Sequence, residues 1–278
     1  MMEALRKASP LLGDSPAIKE LRDFIVGVSL LTEPVLLTGP SGTGKSLSAR
    51  KIHAVGRTAR APFIRVGCEQ FTESELDKLL FDGDDLQDLG GLLGSRSGGT
   101  CYLSGIEKLP PSIVERLTQY LAASRKCEEQ PRLIFSSRFP REELLEDNLV
   151  DATFVELASP FHIWIPPLRD RIEDIPVLCS YQLWMNTPVA DYEGRWSCFQ
   201  EDVLPSLISY PWPGNVNELN GVVRNYCDDE AVSFSVPELV DIPDEVPASE
   251  FFAQQLEIFY AELLGVLETD GHAGEQLP

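Results

Sequence analysis

Basic residues are scarce in this 278-residue chain: 44 Asp and Glu stand against 23 Lys and Arg, a formal net charge of −21, and no Lys or Arg follows Arg224. Such a balance excludes a bulk electrostatic grip on DNA or RNA, which needs cations to displace the counterions of the phosphate backbone. CxxC pairs are absent as well. The six cysteines, Cys68, Cys101, Cys127, Cys179, Cys198 and Cys227, are scattered. That arrangement is expected of free thiols packed in a core in reducing surroundings, not of a disulfide framework or a zinc site. The three histidines are equally dispersed and form no ligand cluster. No apolar run approaches the length of a membrane span, and the opening MMEALRKASPLLGDSP lacks an apolar segment of the secretory kind. These absences predict a cytoplasmic protein with no membrane partner. The length allows one large domain or two modest ones, each with its own core.

What the chain does have is PVLLTGPSGTGKS at residues 34–46, a short apolar run followed by a glycine-punctuated turn closed by Gly44, Lys45 and Ser46. Gly39, Gly44, Lys45 and Ser46 meet the Walker A spacing. At ordinary residue frequencies a chain of this length shows that four-position pattern by chance about one time in a hundred. The structural alternative is a glycine-rich turn between a buried strand and a helix. The chemistry favours a phosphate cradle. Glycines let consecutive backbone N–H groups curl around an anion. The next segment, LSARKIHAV, reads as a helix whose positive end faces that anion. The predicted nucleotide-binding residues are Gly39, Pro40, Ser41, Gly42, Thr43, Gly44, Lys45 and Ser46. Lys45 would reach the terminal phosphates and Ser46 would hold magnesium.

Along the chain, residues 15–31 place Ile18, Leu21, Ile25 and Val28 at helical spacing, with Ser15 and Pro16 as the start signal. Strands are expected at 62–66, 100–103, 132–137 and 161–165. Helices are expected at 73–80 and 110–123, with a short one near REELLED. The glycine-rich acidic stretch from 82 to 99 reads as an irregular surface segment. Strands alternating with helices predict a parallel sheet covered on both faces, with the P-loop at a strand's C-terminal end, where such sheets bind ligands. Beyond Pro166 the pattern is helical only: RIEDIPVLCSYQLWM, QEDVLPSLISY, a PWPGN turn, and VNELNGVVRNYC. The expected organisation is an α/β nucleotide-binding subdomain at 1–166, a helical lid at 167–227, an acidic linker at 228–249 and a last helix and tail at 250–278.

The runs LLGDSPAIKELRDFI, GPSGTGKS, ESEL, SGGTCYLSGIEKLPPSIVERLTQYL, PPLRDRIEDIP and YPWPGNVNEL resemble, in order and spacing, the AAA+ domain of the sigma-54-dependent transcriptional activators. The resemblance covers about residues 11–226. It implies a P-loop α/β domain followed by a helical lid, with ATP or ADP and Mg2+ as cofactors. In that family, nucleotide sits between the two parts and between ring subunits, and hydrolysis remodels the complex of RNA polymerase with its sigma factor.

Several positions depart from the family pattern. Where the family has Asp-Glu after its GGT strand, this chain has Ser104 and Gly105. A neutral hydroxyl does not replace a carboxylate at a divalent ion, and glycine carries no base. Glu107 lies beyond the matching position and is not expected to stand in as that base. The Thr-Asn sensor reads Ser137 and Arg138. The positions of the arginines that reach a neighbour's site align with Asp151 and Leu157, and the lid's sensor arginine aligns with Asn217. Each such cation is worth roughly a thousandfold in comparable phosphoryl transfers. No catalytic residue is therefore assigned.

The GAFTGA sequence that contacts the sigma factor has no counterpart, since DGDDLQDLGGLL fills that interval. The final helix resembles the opening of a Fis-like DNA-binding domain without its recognition helix, so direct DNA binding is not expected. Three readings follow. The leading one is an ATP-binding regulatory protein deficient in hydrolysis, acting through protein contacts with itself or with an intact AAA+ relative in a ring. The second is an active ATPase remodelling the sigma-54 polymerase complex. The third is a decayed domain.

Overall fold

A strand covered on both faces needs a continuous apolar run, and β1 (Val35–Thr38) is buried at every position. The computed structural model describes residues 10–83, 90–94, 98–123 and 130–229. β1 sits inside a five-stranded sheet with β2 (Phe63–Gly67), β3 (Thr100–Ser104), β4 (Arg132–Ser137) and β5 (Phe161–Trp164). The order is β2-β3-β4-β1-β5 and every pairing is parallel. The chain leaves β1 for the far edge at β2 and returns through β3 and β4. The turn after β1 therefore opens where the strand order reverses, which is where parallel α/β sheets bind ligands.

Helices follow the strands as the sequence pattern requires. The stripe of α1 (Pro16–Ser29), namely Ile18, Leu21, Ile25 and Val28, is buried. Its start signal works as read, because Ser15 Oγ accepts from the Ile18 N–H at 3.3 Å. The far end of α1 is closed by the buried Arg132, whose guanidinium donates to Ser29 O at 2.8 Å and to Val28 O. A cation on the last carbonyls of a helix meets both their hydrogen-bonding need and the negative end of the dipole. α2 (Lys45–Ala54) follows the P-loop. α3 (Glu73–Leu80) begins with a capping box between Thr72 and Glu75. α4 (Pro111–Ala123) opens on proline, where a missing N–H costs nothing. Apolar side chains of the strands, Leu36, Val66, Leu103 and Phe135, share one core with Leu76, Leu117 and Phe154.

Two elements differ from expectation. Besides α5 (Arg141–Glu146), at the REELLED segment, a second helix, α6 (Ala152–Ala158), precedes β5. Seven residues rich in β-branched and aromatic side chains give little helical signal on their own. Capping by Asp151, which accepts from the Phe154 N–H, and burial of Phe154, Val155 and Ala158 stabilise it. The single helix expected at QEDVLPSLISY is two: α8 (Tyr192–Asp202) ends at Val203, and α9 (Leu204–Ser209) begins with Pro205 in its first turn. A proline inside one continuous helix would remove a backbone bond and clash with the preceding turn.

The contact pattern separates two units, Glu20–Ile165 and a second that combines the chain through Lys19 with the chain from Pro166 onward. The second unit contains α7 (Ile175–Asn186), α8, α9 and α10 (Asn215–Asp229). Trp212, fully buried, donates from Nε1 to Leu207 O at 2.8 Å and anchors its core with Phe199, Leu183 and Leu219. Asp174 ties in the N-terminal segment: its Oδ1 accepts from the N–H groups of Asp14 and Ser15 at 2.8 Å each, and its Oδ2 accepts from Ser15 Oγ at 2.7 Å. Arg171 Nη1 lies 3.8 Å from the same carboxylate. α10 continues through Asp229, so the linker's first two positions are helical, while residues 230–278, with the rest of the expected linker and the last helix, lie outside the described residues. Of the expected irregular stretch, residues 84–89 and 95–97 also lie outside them, and the described part carries a helical turn at Leu92–Gly94 with Leu93 buried.

Candidate nucleotide site

Of the predicted residues, 39–44 form one turn joining β1 to α2, and Lys45 and Ser46 open the helix. Gly39 sits at φ 145°, Gly42 at 79° and Gly44 at 115°, backbone conformations that side chains rarely adopt. A Cβ on Gly39 would stand 2.3 Å from Ile165 O, so that position also needs glycine for space. The Gly39 N–H donates to Ser137 O at 3.2 Å, fastening the turn to the end of β4. Thr43 Oγ1 donates to Pro40 O at 2.9 Å and holds the turn closed from inside. Lys45 Nζ reaches back across it, donating to Pro40 O at 2.8 Å and to Gly39 O. The first N–H groups of α2 have no partner within the helix, and with the dipole they make an anion site over which Lys45 is stretched. Burial lowers the Lys45 pKa to about 8, and the Glu107 carboxylate works in the opposite direction. At neutral pH the ammonium is mostly charged, and a phosphate oxyanion would raise its pKa further.

Ser46 lies half-buried at the start of α2, its Oγ 3.3 Å from the Tyr102 hydroxyl, which in turn lies 2.8 Å from Ser136 Oγ. This short chain of hydroxyls connects the helix start to β3 and β4, and no charge enters it. At the end of β3, Ser104 Oγ donates to Val66 O at 3.4 Å, toward β2. Gly105 follows at φ 80° and leads into the turn Ile106–Lys108. The two positions where the resemblance would place acids thus hold a hydroxyl bonded elsewhere and a residue with no side chain.

Glu107, which the sequence does not offer as the missing base, lies in that same turn. Its side chain is 6% exposed, Arg138 Nε stands 3.6 Å from Oε1, and Oε2 is buried without a hydrogen-bond partner. Sequence spacing gave no hint of this, because the direction of a side chain two residues past a left-handed glycine is set by the turn. The remaining departures are placed plainly. Asp151 caps α6, Leu157 packs on the core of the α/β unit, and Asn217 is exposed on α10. Among the described residues no group of three or more His, Cys, Asp or Glu side chains could hold a metal by itself. A magnesium ion here would be held largely by phosphate oxygens and water. An open depression of about 390 Å³ lined by Glu73, Ser74, Asp77, Ser112 and Ile113 lies between α3 and α4, and its acidic rim suits no phosphate.

The parallel sheet, the glycine turn on β1 and the helical unit together define a P-loop AAA+ domain with a helical lid. Residues 11–128 match the family described as the Sigma-54 interaction domain, and residues 169–248 match the AAA+ ATPase lid domain. This chain is a homologue of the sigma-54-dependent transcriptional activators. It is 30% identical over 235 residues to the nitrogen assimilation regulatory protein NtrX of Azorhizobium caulinodans, covering 80% of this chain and 51% of that one. To the transcriptional regulatory protein ZraR of Klebsiella oxytoca it is 33% identical over 232 residues, covering 77% and 51%. Crystal structures of NtrX from Brucella abortus, in complex with ADP and with ATP, superpose with a TM-score of 0.65 at 25% identity, covering 82% of this chain and 54% of that one. The chain spans about half the length of these relatives. No helix among the described residues is long and apolar enough to cross a membrane.

Proposed function

We propose that this chain binds ATP or ADP with magnesium through Gly39–Ser46, turns ATP over at close to background, and acts through protein contacts as a regulator related to the sigma-54-dependent activators. The glycine turn, Lys45 and the start of α2 are arranged for polyphosphate, and the homologous NtrX of Brucella abortus carries ADP or ATP. The observation that carries the lost-hydrolysis reading is the end of β3. Ser104 bonds back to β2, and Gly105 is held at a φ that suits glycine. A general base has to lie within hydrogen-bond reach of its water, and neither residue offers one.

Binding without turnover still has mechanical consequences, because a nucleotide shifts any conformational equilibrium by its differential affinity for the two states. The partner is a second copy of this chain or an intact AAA+ relative joined in a ring, and mixing the two should raise the mass in solution. A fluorescent ATP-analogue titration of wild type and Lys45→Ala, followed by a phosphate-release assay, tests the core of the proposal. Saturable binding that Lys45→Ala removes, with phosphate release near background, is expected. Turnover typical of active AAA+ enzymes would favour a working ATPase, and no binding would favour a decayed domain.

A further inference from the structure

We propose that Glu107, positioned by Arg138, is the carboxylate that supports the magnesium ion of a bound nucleotide, in place of the acid missing from the end of β3. The inference rests on the nucleotide-binding reading above and adds to it the residue on the cation side.

Three backbone bonds locate the group. The end of β4 takes the Gly39 N–H on Ser137 O and, at 2.8 Å, the Gly105 N–H on Ser136 O. The P-loop and the Ile106–Lys108 turn therefore flank the same strand end. The turn is itself closed by Lys108 N–H to Gly105 O at 2.9 Å, and Ile106 is wholly buried as its anchor. Glu107 is fixed between these points, its side chain 6% exposed.

An ionised carboxylate in that position is expensive. The cation paired with it among the described residues, Arg138 with Nε at 3.6 Å, is too far for a hydrogen bond, and Oε2 has no hydrogen-bond partner there. A pair kept only for stability would close that distance or be replaced by apolar packing at little loss. A buried oxygen without a partner, on a turn that shares the end of β4 with the phosphate cradle, suits a ligand position instead. The neighbouring hydroxyls agree, being engaged elsewhere: Ser104 with Val66 O, and Tyr102 with Ser46 and Ser136. Magnesium holds few protein groups directly and favours carboxylates among them, at first hand or through water. Glu107 would supply the charge while Gly105 still leaves the attacking water without a base, so turnover stays at background.

The test compares ATP affinity in Mg2+ and in EDTA, by fluorescence titration, for the wild type, Glu107→Gln and Arg138→Ala. The wild type should bind about tenfold to a hundredfold more tightly with Mg2+, the range that removal of a metal-supporting group typically costs. Glu107→Gln, which keeps shape and removes charge, should lower that ratio about tenfold. In EDTA it should bind ATP as tightly as the wild type or more tightly, because a like charge beside the phosphates is gone. A merely structural residue would weaken both conditions alike. Arg138→Ala should lower the ratio by a smaller factor, since its side chain is half exposed. It decides alone if thermal melts show Glu107→Gln unfolded. A wild-type ratio retained in the folded variants overturns the assignment, and so does a wild type indifferent to Mg2+. In both cases nucleotide binding stands. A wild type that binds no nucleotide in either buffer overturns both readings.

Discussion

The turn after β1 and the ends of β3 and β4 are neighbours on one edge of one sheet, joined through Ser136 O and Ser137 O. At the first, every glycine angle and the reach of Lys45 match the demands of a phosphate cradle. At the second, Ser104, Gly105 and Arg138 stand where the resemblance calls for a metal acid, a base and a sensor asparagine. Backbone geometry is common to both, down to the Gly105 N–H on β4. The difference lies entirely in side-chain charge. Holding a triphosphate uses N–H groups and one ammonium, which the fold supplies almost by its course. Cleaving it uses carboxylates and guanidiniums placed one by one, and those can be lost while the sheet remains.

The sharpest way to break this contrast is at Lys45. Lys45→Ala should weaken ATP binding about a hundredfold, the worth of a strong charge-assisted contact, and a titration that shows no change would mean that the turn does not hold the nucleotide. Next comes an attempt to restore the second region. Ser104→Asp with Gly105→Glu should leave phosphate release within tenfold of wild type, because the aligned arginine positions hold Asp151, Leu157 and Asn217. It should also cost about 1–2 kcal/mol of stability in a denaturant melt, because glutamate at φ 80° is strained. A hundredfold gain in phosphate release would show that the β3 end alone had silenced the domain.

Tyr102→Phe probes the hydroxyl chain that links the two regions. It leaves the buried Ser136 Oγ without its bond, and should lower stability by about 1 kcal/mol with ATP affinity unchanged within twofold. The smallest effect is on pH. Lys45 titrates near 8 in the free protein, and bound phosphate raises that value, so binding takes up a proton above pH 8. Affinity should fall about threefold between pH 7.5 and 8.5, with a buffer-dependent heat of proton uptake in calorimetry.

Much of this was legible in the residues. The α1 stripe and the apolar run of β1 are long, regular patterns, and both are buried as read. The turn after β1 was legible because its positive φ angles fall at glycine positions, which the sequence records directly. α6 gives little sign of itself because seven residues carry too little periodicity, and its one local signal is Asp151 at the cap. The break between α8 and α9 is marked in the sequence by Pro205, although the apolar spacing on either side reads as one helix. Glu107 was beyond reach of spacing arguments, since its burial and its pairing with Arg138 depend on how a three-residue turn leaves β3 and on what β4 offers across from it.

The Asp174 carboxylate joins Asp14 and Ser15 across 160 positions of chain. During synthesis at about 5–20 residues per second, the N-terminal segment emerges roughly ten to thirty seconds before its anchor exists. The unit that Asp174 ties together can therefore close only after residues 20–165 have been made, and Asp14 and Ser15 wait for it. Slowing translation between residues 20 and 165 should lengthen that wait, and so the protease sensitivity of residues 10–15, while leaving the finished protein unchanged.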